Sequence, residues 1–157
     1  MTQEATIPEI QPLRVEVTVR RPQADAFRLF TEDMGSWWPL ATHSVGQDKA
    51  KTCQLEGRVG GRLFERLEDG SEESWGRVLT WDPPGRVSFT WHPGREPETA
   101  QEVEVSFHAA GDGETRVELV HRGWERYGEG AAEMRDQYET GWGYVLGECY
   151  AGAAVTA

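Results

Sequence analysis

The stretch that decides the fold is the last one, residues 131–153, AAEMRDQYETGWGYVLGECYAGA. Met134, Tyr138, Trp142, Val145, Leu146, Cys149 and Ala153 recur at steps of three and four residues, while Glu133, Arg135, Asp136, Glu139 and Thr140 fall on the opposite side. That is the pattern of an amphipathic helix. No other segment is long enough to cover a whole sheet. Gly141, Gly143 and Gly147 interrupt it, and each lowers helix propensity by about 1 kcal/mol relative to Ala. Burial of Tyr138, Trp142, Val145 and Leu146, at about 2 kcal/mol each, more than offsets this, so the helix is expected only in tertiary contact. The glycines have two readings: they leave room for a guest molecule beside large rings, or they let another backbone pack close.

What the helix covers is written upstream. Leu13, Val15, Val17 and Val19 alternate with Arg14, Glu16, Thr18 and Arg20, which predicts a half-buried strand stopped by Pro22. Pro22 suits the first turn of a helix whose apolar stripe is Ala26, Phe27, Phe30 and Met34. GSWWPL, from Gly35, predicts a second short helix or turn, and residues 41–51 form a loop without a pattern. Further strands are predicted over 52–58, 62–67, 74–81, 86–92, 102–109 and 115–122, separated by Gly60-Gly61, Asp69-Gly70, Asp82-Pro83-Pro84-Gly85, Pro93 and Gly111-Asp112-Gly113. The clean alternation implies an antiparallel sheet with one covered face. Residues 1–12 read as a mobile polar tail and 13–157 as one domain.

Composition excludes several functions. With 16 basic and 27 acidic residues, a formal charge of −11 repels nucleic acid and anionic lipid. No apolar window of membrane-spanning length and no secretory leader is present, so a soluble cytoplasmic protein is expected. Cys53 and Cys149 fit no CxxC pattern and read as free thiols.

The order strand, helix, short helix, six strands, long helix resembles the START-like (SRPBCC) superfamily and, within it, the family similar to the activator of the heat-shock-protein-90 ATPase. The marks are Pro22 with Ala26-Phe27, RVGGRLFE at 58–65, Gly76-Arg77-Val78 leading to Asp82-Pro83-Pro84 and Arg86, and Phe89-Thr90-Trp91. Glu102-Val103 to Phe107, Gly113-Glu114-Thr115, and Leu119 with His121 before Gly123-Trp124 continue the likeness, which spans residues 13–152. The resemblance implies an α+β helix-grip fold: a curved seven-stranded antiparallel sheet around the C-terminal helix, two short helices after the first strand, and a largely apolar cavity between sheet and helix. It also implies a family with many bacterial members and a link to stress response. The eukaryotic activators carry a further N-terminal domain for which this chain has no room, which speaks against a co-chaperone role.

Among candidate chemical groups, His43, His92 and His108 have no partners at metal-ligand spacing and read as surface residues. His121 shares the apolar parity of Val117 and Leu119, as a core histidine or a ligand-orienting one. Glu65 shares parity with Leu63 and Leu67 and Arg77 with Leu79 and Trp81, which suggests an inward ion pair. No GxSxG, GxGxxG or Walker pattern occurs. The preferred reading is a non-catalytic receptor for a small apolar or aromatic molecule, without metal or cofactor. Trp91, Tyr138 and Trp142 would form its walls, Trp38 part of its mouth, and His121 a polar anchor. The alternatives are a regulator bound to a chaperone ATPase, and a START-like cyclase, dehydratase or hydrolase drawing on Glu65, Arg77 and His121.

Overall fold

The computed structural model of the chain describes residues 10–155; the tail expected over 1–12 falls mostly outside them. Within them, the Gln11 and Pro12 carbonyls accept from the Arg135 guanidinium at 2.6 and 3.1 Å. Strand β1 (Leu13–Val19) leads into helix α1 (Gln23–Thr31), and the turn Met34–Ser36 is a single 3-10 turn. Pro22 caps α1 from one residue outside the helix. After a loop come β2 (Ala50–Leu55), β3 (Arg62–Leu67), β4 (Glu72–Asp82), β5 (Arg86–Trp91), β6 (Gln101–Gly111) and β7 (Glu114–Arg122). The C-terminal helix begins as α2 (Ala131–Tyr144), widens to a π-helix over Val145–Tyr150 and ends as α3 (Ala151–Val155).

The strands form one seven-stranded sheet in the order β1-β7-β6-β5-β4-β3-β2, every pairing antiparallel. This is the α+β helix-grip fold, with the last helix lying in the hollow of a curled sheet. Register shifts in the β3/β4, β4/β5 and β6/β7 pairs sharpen the local twist and bend the sheet. On β4 they also break the alternation. Gly76 pairs with Leu63 but Ser74 with Phe64, which leaves Trp75 as the extra residue, and a second shift follows Val78. Trp75 and Val78 are therefore buried, while Arg77 and Leu79 face water. That overturns the inward position expected of Arg77.

The connection between β2 and β3 is longer than the predicted strands over 52–58 and 62–67 imply. β2 ends at Leu55, and only Gly60 takes the left-handed conformation, at φ 81°. Gly61 is small for another reason: a Cβ there would lie 2.3 Å from the Glu56 carbonyl oxygen.

The π-helix explains how one face stays buried to the end of the chain. Trp142, Leu146, Tyr150 and Ala154 are all buried, a strict four-residue spacing that in a pure α-helix drifts by about 40° per step. Wider π turns cancel the drift. One end of the hollow is filled by Phe27, Phe30, Trp37, Phe107 and Tyr150, whose neighbouring rings lie 5.2–6.0 Å apart. Tyr150 ties the helix to α1 by donating to the Ala26 carbonyl at 2.8 Å. The other end is not filled.

Candidate functional site

The open end is built around four indoles. Trp38 comes from the turn after α1, Trp75 from the irregular point of β4, Trp91 from the end of β5 and Trp142 from α2. Their centroids are 5.1 Å apart for Trp38–Trp75 and Trp91–Trp142, and 5.7–5.9 Å for Trp75–Trp91, Trp38–Trp142 and Trp38–Trp91. All four are buried, and with Tyr138, Gly141 and Val145 of the C-terminal helix they bound a cavity of about 400 Å³. Thr42, His43, Ser44 and Val45 of one loop, and Pro93-Gly94 of another, complete its border.

Each indole N–H is bonded within the protein, so the walls offer ring surface and little else. Trp38 donates to the His43 carbonyl at 2.7 Å, Trp75 to Glu65 Oε1 at 2.6 Å, Trp91 to Tyr138 Oη at 3.2 Å and Trp142 to His121 Nδ1 at 3.0 Å. The tryptophan N–H groups are thus spoken for and leave only ring faces for a guest. Tyr138 differs, because its oxygen accepts from Trp91 and the hydroxyl keeps a hydrogen to donate. Burial raises its pKa, with the Trp91 bond acting in the opposite sense, so it stays a neutral donor.

His121 sits behind this wall. An indole only donates, so Nδ1 is the acceptor and Nε2 carries the hydrogen directed at Gln101 Oε1, 3.3 Å away. Trp124 stacks on the imidazole at 3.9 Å between centroids and donates to the His121 carbonyl. The ring is fully buried and does not border the cavity. Burial lowers its pKa to about 3. Both nitrogens being engaged, His121 orients Trp142 rather than meeting a guest.

Glu65 is fully buried as expected, but its partner is not Arg77, which faces water and donates to the Gly60 carbonyl. The carboxylate accepts from the Val45 and Gly46 amides at 2.6 and 2.8 Å and from Trp75. Glu65, Arg77 and His121 form no common cluster, and none borders the cavity. Two histidines expected at the surface are placed otherwise. His92 is buried, its Nδ1 3.1 Å from the Arg95 carbonyl oxygen. His43 borders the cavity, stacks on Tyr144 at 5.3 Å, and has Nδ1 2.7 Å from Thr42 Oγ1. Sequence reading missed His43 because its loop has no periodicity, and Trp75 because the register shifts hide its parity.

Among the described residues no group of His, Cys, Asp and Glu has the geometry to hold a metal ion, and no helix is long and apolar enough to cross a membrane. Both cysteines are free.

Fold and cavity together define an α+β helix-grip protein with an aromatic-walled hollow at one end of its terminal helix. The chain belongs to the family described as Activator of Hsp90 ATPase homolog 1-like protein, whose model matches residues 20–149. It is similar to the anthrahydroquino-gamma-pyrone synthase Txn09, solved in complex with SUM, at 37% identity over 83% of this chain and 88% of that one, with a TM-score of 0.58. It is also similar to CalC, a self-sacrificing resistance protein from Micromonospora echinospora, at 25% identity over 92% and 94% of the two chains, with a TM-score of 0.67. The Aha1 dimer from Colwellia psychrerythraea, 16% identical over 87% and 90% with a TM-score of 0.58, shares the fold. A comparison with curated proteins found no match.

Proposed function

We propose that this protein binds a planar, fused-ring aromatic molecule between Trp38, Trp75, Trp91 and Trp142. The carrying observation is that four indoles, their N–H groups all bonded internally, border a cavity of about 400 Å³. Such walls favour a guest that stacks, and the volume lies in the range of about 300–1,000 Å³ usual for small-molecule pockets. The Tyr138 hydroxyl is the one polar group of the inner wall and suits a quinone or ketone oxygen. Titration with a dihydroxyanthraquinone tests this through tryptophan emission. Saturable one-to-one quenching is expected, and its absence, or binding of tetramethylammonium in its place, would overturn the reading.

A second reading, that the guest is also chemically changed, is favoured by the 37% identity to a synthase and by His43 and Tyr138 bordering one cavity. A dihydropyranone ring closes when a phenol oxygen adds to the carbon–carbon double bond of a conjugated enone. The phenol proton passes to His43 Nε2 and from there to carbon, a C–O bond forms, and no atoms are gained or lost. Tyr138 meanwhile donates to the carbonyl oxygen that gathers negative charge. Tyr138→Phe should then lower turnover of an ortho-hydroxyaryl enone by about 100-fold or more while the anthraquinone still binds. Equal turnover in both proteins would remove the enzymatic reading and leave the receptor. The chaperone-regulator alternative draws no support from the strand carboxylates, since Glu72, Glu102 and Glu104 are already paired with arginines of the same chain.

A further inference from the structure

We infer that Gly141 sets the width of the guest that this cavity admits, so that the helix glycine acts as a specificity-determining residue; this rests on the aromatic-binding reading above. In the sequence the helix glycines admit two explanations, close backbone packing or room for a guest, and the geometry separates them. A Cβ built at Gly141, Gly143, Gly147 or Gly152 meets nothing within 4 Å, so none of the four is there to let another backbone approach. Close approach does explain Gly76, where a Cβ would lie 1.8 Å from the Thr90 carbonyl oxygen.

Of the helix glycines only Gly141 borders the cavity. It lies three residues after Tyr138 and four before Val145, on the face that both present to the hollow. A side chain there therefore points into the space that the tryptophans enclose. Its absence leaves a strip of bare helix backbone between a phenol and an isopropyl group. A flat ring system can lie along that strip, whereas a β-branched side chain would stand in its plane. Glycine at this position costs the helix about 1 kcal/mol relative to Ala, and no packing or positive φ requires it.

The experiment compares Gly141→Ala, Gly141→Val and the off-cavity control Gly143→Ala with the unmodified protein. Each is titrated with a hydroxynaphthoquinone and a dihydroxyanthraquinone, and thermal unfolding is followed in parallel. Gly141→Ala and Gly143→Ala should both raise Tm, by about 2–4 °C, because both remove a helix-interior glycine. Gly143→Ala should bind as the unmodified protein does. Gly141→Val should lose about tenfold or more in affinity for the three-ring probe and keep the two-ring one within about twofold. A stabilised Gly141→Ala protein with weakened three-ring binding separates lost space from lost folding. If the unmodified protein binds and Gly141→Val binds both probes equally well, Gly141 does not set the width, although the aromatic-binding reading stands. If the unmodified protein binds neither, both fall.

Discussion

The indole of Trp75 donates to the carboxylate of Glu65 over 2.6 Å, and the same carboxylate holds the amides of Val45 and Gly46. One fully buried acid thus fixes both a wall of the cavity and the loop at its border. No cation among the described residues pairs with it; three N–H groups carry the compensation that a buried charge requires.

Glu65→Gln should disturb this arrangement, since an amide offers one accepting oxygen where two are in use. With the oxygen kept toward Val45 and Trp75, the amide nitrogen would face the Gly46 N–H. Loss of a bond to a charged acceptor predicts destabilisation of about 1.5–3 kcal/mol. Denaturant unfolding measures it, and amide exchange at Gly46 should quicken. Unchanged exchange would show that the loop is held by other means.

Acid should weaken the fold through His121. Its folded pKa of about 3 lies below the ordinary 6.5, so the unfolded chain binds the proton more readily. The stability this neutral histidine contributes is complete above pH 6.5 and is lost as pH falls toward 3. The slope is about 1.4 kcal/mol per pH unit inside that window. Carboxylates such as Glu56, Asp69 and Glu72, whose pKa values are lowered mainly by hydrogen bonds from Arg62, Ser71 and Arg66, act only at lower pH. Between about pH 6.5 and 5 the slope therefore belongs to His121. His121→Gln, which can still accept from Trp142 and donate to Gln101, should flatten it; an unaltered profile would exclude His121 as the source.

Gly76→Ala should be severe where Gly141→Ala is stabilising. A methyl at Gly76 would meet the Thr90 carbonyl oxygen of the paired strand at 1.8 Å, and β4 and β5 would have to separate. A loss of about 3 kcal/mol or more in denaturant unfolding is expected. A mild effect would mean that these strands part easily.

The two thiols should react unequally. Burial, with the nearby Glu65 charge adding to it, pushes the Cys53 thiol up to about 12, which leaves almost no thiolate at neutral pH. Cys149 is half-buried. Native iodoacetamide treatment should label Cys149 alone, and both after unfolding; mass spectrometry of peptides distinguishes the sites. Native labelling of Cys53 would mean that the sheet edge opens.

Much of this protein follows from local pattern. The period-2 runs of β1, β6 and β7 and the stripe through Tyr138, Trp142 and Leu146 are set by side-chain alternation that each segment carries alone, and with the glycine and proline punctuation they give the order of elements, from which the family resemblance implies the helix-grip topology. Tyr138, Trp142 and Trp91 could be proposed as wall residues for the same reason: large rings on apolar positions of a helix and a strand converge where a sheet curls round a helix. What sequence left undecided depends on contacts between distant segments. Register shifts in β4, imposed by its pairing with β3 and β5, turn Trp75 inward and Arg77 out. Two of the three partners of Glu65 lie about twenty residues upstream in a loop without period. Whether His121 meets a guest or a tryptophan was settled by an indole N–H from twenty-one residues downstream. Parity is a property of one strand, but register, hydrogen-bond partners and empty space belong to the assembled chain, and so some of the rings were legible in the sequence while Trp75 and the cavity's polar contacts were not.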